Sequence, residues 1–352
     1  MSFLNTPEMQ ETTAEVKNKT SDEAMFDKDI RGYDSLGELA DLLEGLDHVF
    51  IRQKVMMLEA ITMGCVEQKN IYTVLTPSGD AILTCREVSD FKSRCCCNPL
   101  HSLTIEMFKG IGGGDGNDDA FFTGVGSNAV QSSDEALYTA ERPGCCCGKP
   151  GLCCPACTDS CTDTMTLHQG HIKGHAGDLE SPQPLLMVRQ EMAFESPFHP
   201  ALEIMPAMKG TNSGFAKATH MVNGPMFFGG CVELCCESNW IFSDRTSKSE
   251  EGRITKQKPA SMEDAMREML TDADLYRLDF TVGMDNSAKA ALITSTLLLD
   301  YMFFERDMGV CKPTVGSGDG PGCSTTICNC YCCGCVCPCT CSSGNNDGSH
   351  AD

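Results

Sequence analysis

Basic residues are scarce in this sequence: 27 Lys and Arg stand against 49 Asp and Glu, a formal net charge of −22. That shortage excludes nucleic acid as a partner, because affinity for phosphate backbones comes mostly from the Lys and Arg that neutralise them. It also excludes electrostatic adsorption to an anionic cytoplasmic leaflet. Any hold on a membrane must come from acyl chains, a hydrophobic segment or bridging cations. The opening stretch, MSFLNTPEMQETTAEV, has no apolar h-region, position 2 is not Gly, and the end, GSHAD, carries no prenylation box. A secretory signal, N-myristoylation and prenylation are therefore not expected. Ser-His-Asp, paired-carboxylate and Walker arrangements are absent too, so no covalent chemistry is expected. The run GIGGGDG suggests a phosphate cradle, but neither Lys-Ser/Thr nor an amphipathic helix follows it, and a surface loop is the better reading.

What is present suffices for a core: 41% of the 352 residues are hydrophobic and 7% aromatic. All-β barrels of about 200 to 250 residues commonly stand as one domain, so one folded body with disordered ends is expected. Residues 1–33 read as a disordered acidic leader. Ser35 with Glu38 makes a capping box ahead of Leu36, Leu39, Leu42, Leu43 and Leu46, a short amphipathic helix. From Ile51 onward short apolar runs alternate with turn residues. IYTVL and AILTC flank Pro77-Ser78-Gly79-Asp80, and LTIEM, ALYTA, PLLMVRQEMAF, ALEIM, FAKATHMV and NWIFS follow. Many short strands without intervening helices mean a β-sandwich or barrel. Residues 109–134, rich in Gly and Asp, read as a flexible insertion. A Met-lined helix follows Ser261, and then the most regular strand, Tyr276, Leu278, Phe280 and Val282 alternating with polar residues.

Residues 288–304, AKAALITSTLLLDYMFF, are apolar nearly all round, with Ala288, Leu292, Leu297, Leu298, Leu299 and Phe303 on several faces. As a helix they rise about 25 Å, short of the roughly 30 Å hydrocarbon thickness, and they include Lys289, Thr294, Ser295, Thr296 and Asp300. A buried helix inside a closed barrel, its hydroxyls bonded back to helix carbonyls, is favoured over a membrane span. Asp285 or Ser287 caps it.

Cysteine is abundant, 25 residues in all, and in a cytosolic body such thiols stay reduced, available to metal or to acylation. Cys145, Cys146, Cys147, Cys153, Cys154, Cys157 and Cys161 cluster at 145–161. Cys154 and Cys157 with His171 and His175 also fit a zinc spacing, although Gly170 and Gly174 weaken the helix that would carry the histidines. Residues 306–352 read as a Gly/Cys-rich disordered tail whose dense cysteines, Cys328 to Cys341, suit multiple acylation or a metal-thiolate cluster equally.

Thr271 to Glu305, TDADLYRLDFTVGMDNSAKAALITSTLLLDYMFFE, resembles the C-terminal signature of the phospholipid scramblases without a gap, and weaker echoes upstream extend the likeness over roughly 48–305. The resemblance implies a tubby-like fold, mainly β, a closed antiparallel barrel around a hydrophobic C-terminal helix, making 34–305 one domain. It implies calcium-dependent, ATP-independent movement of phospholipids between leaflets, palmitate on the 145–157 cysteines, and a cytosolic body at the plasma membrane. Its calcium segment falls on Asp272, Asp274, Tyr276, Leu278 and Gly283. Here Arg277 occupies the position that wants Gly, and Gly283 the position that wants an acid, for which Asp285 stands in. The alternative is a palmitoylated, tubby-like membrane-binding scaffold that recruits signalling partners and moves no lipid.

Overall fold

The computed structural model describes residues 36–54, 70–89, 101–110, 136–143, 156, 159–171, 183–209, 214–258, 274–304, 311–314 and 322–343. The acidic leader, nearly all of the 109–134 insertion and the Met-lined helix after Ser261 lie outside them.

A short helix, α1 (Gly37–Leu43), precedes twelve strands that close into an antiparallel barrel. These are β1 (His48–Lys54), β2 (Ile71–Leu75), β3 (Ala81–Val88), β4 (Leu103–Lys109), β5 (Tyr138–Arg142), β6 (Thr164–Gln169), β7 (Pro184–Gln190), β8 (Ala201–Pro206), β9 (His220–Asn223), β11 (Ser238–Asp244), β12 (Glu250–Lys256) and β13 (Leu275–Phe280). The dipeptide β10 (Phe227–Phe228) and a short helix, α2 (Cys231–Cys235), stand between β9 and β11, outside the ring. Neighbours in the chain are neighbours in the ring, and β13 closes it onto β1 with Val49 opposite Leu278 and Ile51 opposite Tyr276. The Thr76–Asp80 connection makes the expected hairpin between β2 and β3.

Closure follows from alternation. Side chains of a strand point to opposite faces, and the inward positions here are apolar: Val49 and Ile51 on β1, Val74 on β2, Tyr276, Leu278 and Phe280 on β13. They enclose α3 (Asn286–Leu299), which continues into one π-helical turn, Asp300–Phe304, and every residue from 288 to 304 is buried. Among the described residues no helix is long and apolar enough to cross a membrane. Burying a hydroxyl without a partner is costly, and the helix avoids it. Thr294 donates to the carbonyl of Ala290 at 2.9 Å, Ser295 to Ala291 at 2.7 Å and Thr296 to Leu292 at 2.8 Å.

The N-terminal end of α3 is capped by Asp285, whose carboxylate accepts from the backbone N–H of Ser287 at 2.8 Å and of Ala288 at 3.3 Å. Beside it Lys289 donates to the carbonyls of Leu43 and Leu46, at 2.8 and 3.1 Å, satisfying groups left open at the end of α1. The capping box expected for α1 rests on Ser35, which lies outside the described residues; Leu36 occupies the N-cap without a side-chain bond. Burial of Leu36, Leu39 and Leu43 in the barrel core holds this helix instead.

Beyond the helix the tail departs from the disordered stretch expected. The strands β14 (Cys311–Thr314), β15 (Gly322–Cys332) and β16 (Cys335–Ser343) join β10 in a four-stranded sheet. The reason is a period of two. Cys328, Cys330 and Cys332, alternating at the end of β15, leave Asn329 and Tyr331 to face the barrel, where Tyr331 packs edge-on against Phe303, centroids 6.3 Å apart.

Candidate functional site

In an antiparallel ring the same mouth is lined by the ends of odd-going strands and the starts of even-going ones. At the mouth reached by the end of α3, inward parity carries polar residues where the rest of each strand carries apolar ones. Gln53 continues Val49 and Ile51, Glu87 continues Leu83 and Cys85, Arg142 continues Tyr138 and Ala140, and Lys256 continues Gly252 and Ile254. All are buried, and they surround the π-helical turn. Such turns recur at functional sites, because they aim side chains that a regular helix would bury against its own wall.

Asp300 sits at the centre. Tyr72 donates to its Oδ2 at 2.6 Å, and Tyr276 Oη lies 2.6 Å from its Oδ1 and 3.1 Å from Asp274 Oδ2. Burial, and then the nearby Asp274 carboxylate, push the Asp300 carboxyl up to about 7. One tyrosine hydroxyl has one proton to give to two carboxyls. The Tyr276 hydroxyl is the donor shared between Asp300 and Asp274. Tyr276 itself is raised well above the usual phenol range, first by burial and then by Asp274 and Asp300.

The balancing charge is Lys256, whose Nζ stands 3.0 Å from Asp274 Oδ2 and 2.8 Å from Glu233 Oε2 on α2. Burial acts to lower this ammonium, but Asp274 and Glu233 outweigh it and raise it further, so it stays charged. A second branch leaves Tyr301, which donates to Glu87 Oε2 at 3.0 Å. Glu87 also accepts from Ser89 at 2.5 Å and from the N–H of Asn70 at 3.0 Å, with His101 Nε2 at 3.4 Å. Against the burial that would raise it, His101, Ser89, Asn70 and Tyr301 hold this carboxyl below its usual range. Arg142 lies over the Tyr301 ring, 5.8 Å from its centroid, and pairs with Asp163 at 3.1 Å. The mouth is thus lined by two sets of carboxyls, phenols and cations that bind the helix end to β2, β3, β5, β12 and β13 and to α2.

The expected site residues distribute differently. Ala288, Leu292, Leu297, Leu298, Leu299 and Phe303 are all buried within the barrel. Asp274 belongs to the polar lining just described, while Asp285 caps the opposite end of α3. The six residues of β13 stand between the two, roughly 20 Å at about 3.3 Å per residue. Tyr276 and Leu278 point inward from that strand, at 1% and 0% exposure. Asp274 and Asp285 therefore do not fit one calcium site, because an extended strand separates what a calcium loop would bring together. Asp272 lies outside the described residues, as do Cys145, Cys146, Cys147, Cys153, Cys154, Cys157 and His175. Cys161 is buried, and His171 is paired to Glu106 at 3.2 Å.

Comparison with known proteins places this geometry. Residues 217–306, which carry Glu233, Lys256, Asp274, Tyr276 and the whole of α3, match the Scramblase family model. The chain is similar to phospholipid scramblase 1 of Homo sapiens, 23% identical over 265 residues, 75% of this chain and 65% of that protein. It is 25% identical to phospholipid scramblase 2 of Homo sapiens over 272 residues, 76% of this chain and 70% of that one. With phospholipid scramblase 1 of Mus musculus it shares 24% over 268 residues, 76% of this chain and 63% of the relative. The similarity thus spans a little under two thirds of the first of these proteins. No solved structure matches.

Proposed function

We propose that this chain, which carries the scramblase family domain and is homologous to phospholipid scramblases 1 and 2, promotes bidirectional, ATP-independent movement of phospholipids between membrane leaflets. The homology carries this reading: the matched segment contains the buried helix and part of the polar lining at its end. The barrel buries the long apolar helix α3, and the net charge of −22 opposes an anionic leaflet. Attachment therefore falls to acyl chains on Cys145, Cys146, Cys147, Cys153, Cys154 and Cys157, and two or more chains anchor a protein where one is marginal. The body then lies on the cytosolic face of the plasma membrane with phospholipids as its partners. Calcium dependence belongs to the same proposal, but Asp274 and Asp285 do not share an ion, and no step is assigned to one.

The test is reconstitution of the acylated full chain into liposomes with a fluorescent lipid. An increase in dithionite-accessible lipid beyond the outer leaflet, with and without calcium, supports the proposal. No increase under either condition sinks it. A second reading, a lipid-anchored binding module that moves no lipid, is favoured by one observation, the complete burial of residues 288–304. It predicts recruitment to acyl-dependent membranes and silence in that assay.

A further inference from the structure

The tail hairpin arranges its cysteines in a way their spacing alone does not reveal. Cys333 and Gly334 join β15 to β16, both left-handed with φ of 47° and 80°, as a two-residue type I′ turn requires. The register sets Cys332 opposite Cys335, Cys330 opposite Cys337 and Cys328 opposite Cys339. Directly opposed residues share a face, so these rungs form one ladder of thiols.

The other face is anchored. Tyr331 and Asn329 are 1% and 4% exposed, the N–H of Tyr331 donates to Met226 at 3.0 Å, and β10 pairs with β15 through Phe227 and Phe228. The ladder therefore looks outward from a fixed platform: Cys337 and Cys339 are exposed, Cys328 and Cys330 half-buried, and none of the four is in a disulfide. The thiols also meet each other. Across one rung the Cys328 and Cys339 thiols stand within hydrogen-bonding contact. Thiolates packed this closely repel, and a cation between them removes the repulsion.

We propose that the opposed pairs Cys328/Cys339 and Cys330/Cys337 each bind one Cu(I), a thiophilic d10 cation that accepts two thiolates, on the outer face of this hairpin. Opposed Cβ atoms in such a pair stand about 4.5 to 5.5 Å apart and positions two along a strand about 7 Å. Two thiolates facing each other across one rung reach a single ion by side-chain rotation alone, whereas adjacent rungs stand too far apart for all four to share one. Sulfur ligands select Zn(II) and Cu(I) over calcium or magnesium. Each thiol that binds gives its proton to solvent, so affinity rises with pH. The site does not depend on the lipid-moving reading, and the two are tested separately.

The test uses the full chain, reduced, stripped of metal and kept anaerobic. It is titrated with Zn(II) or Cu(I) and then pulsed with an alkylating agent, and each cysteine is followed by mass spectrometry. Cu(I) is expected to slow alkylation of these four at least about tenfold, because a metal-bound thiolate is no longer a free nucleophile, and a chelator reverses the effect. Protection by Cu(I) and not by Zn(II) is the expected result; protection of all four together by Zn(II) overturns the pairwise site. The variant C328S/C330S/C337S/C339S is expected to hold two equivalents of Cu(I) less than the wild type. If that variant does not fold, the alkylation of the wild-type chain decides alone. Unchanged alkylation with Cu(I) overturns the proposal. So do thioester-linked acyl chains on these four cysteines in protein taken from membranes, which would make the ladder an acylation site instead.

Discussion

The ammonium of Lys256 stands 4.1 Å from the centroid of the Phe304 ring while pairing with Asp274 and Glu233, so one side chain holds the helix end, a strand start and α2 together. Replacing it leaves the buried Asp274 carboxylate and the half-buried Glu233 carboxylate without this counter-ion. Lys256→Met should cost about 3 to 5 kcal/mol of unfolding free energy, the range for breaking a buried pair from one side. Adding Glu233→Gln and Asp274→Asn to that variant should recover most of the loss. Denaturant unfolding of the single and triple variants checks this; equal losses in both would mean that the ammonium acts through packing alone.

Asp300 gives the fold a pH dependence opposite in sign to that of an ordinary carboxylate. Its folded value near 7 lies above the usual 3.8, so between those two pH values the folded protein binds a proton that the unfolded chain has lost. Stability from this group is complete below the lower value and falls as pH rises toward the upper one. Asp300→Asn, which keeps an acceptor toward Tyr276 and cannot ionise, removes the effect. The stability advantage of wild type over this variant should be larger at pH 5 than at pH 8, measured by denaturant titration at each pH. A constant difference would show that Asp300 titrates normally.

Much of the barrel was legible in the sequence, and the misses have a common cause. Strands whose inward positions are all apolar announce themselves, as Tyr276, Leu278 and Phe280 do. β6 and β12 do not, because Thr164–Gln169 and Glu250–Lys256 mix polar outer positions with inward polar ends. The same feature hid the polar lining. Glu87, Arg142 and Lys256 look like solvated charges until their parity with Cys85, Ala140 and Ile254 is counted. Parity also carries the tail, where cysteine at every second residue read as density and not as a strand. Asp274 was singled out for its oxygens, whereas its partner Lys256, eighteen positions upstream, is decided by the β12–β13 register, which pairs Lys256 with Tyr276.

Gly224 lies against the face of Trp240: a Cβ built there would stand 2.2 Å from the indole Cζ3, closer than two carbons can approach. Trp240 is fully buried and stacks on Phe303, centroids 5.4 Å apart, so it cannot yield without moving the helix end. Gly224→Ala should destabilise by about 1 to 3 kcal/mol or more, the usual cost of overpacking. Trp240 is the single tryptophan of the chain, so its fluorescence reports the site directly. A shifted emission maximum in the folded variant is expected, and an unchanged spectrum with unchanged stability would show that the indole has room.

Tyr331 couples the tail hairpin to the barrel. Its ring is 1% exposed and edge-on to Phe303, and on the same hairpin the N–H of Cys333 donates to the carbonyl of Pro197 at 2.7 Å. Truncating a buried aromatic costs about 3 to 5 kcal/mol where the cavity does not collapse. At this position the loss can instead be taken locally, since the hairpin can leave while the twelve-stranded ring stays closed. Tyr331→Ala should therefore speed proteolysis within 322–343 and amide exchange at Cys333 far more than it lowers the global unfolding midpoint. If both fall together, the hairpin is part of the cooperative core and its docking is as strong as the closure of β13 onto β1.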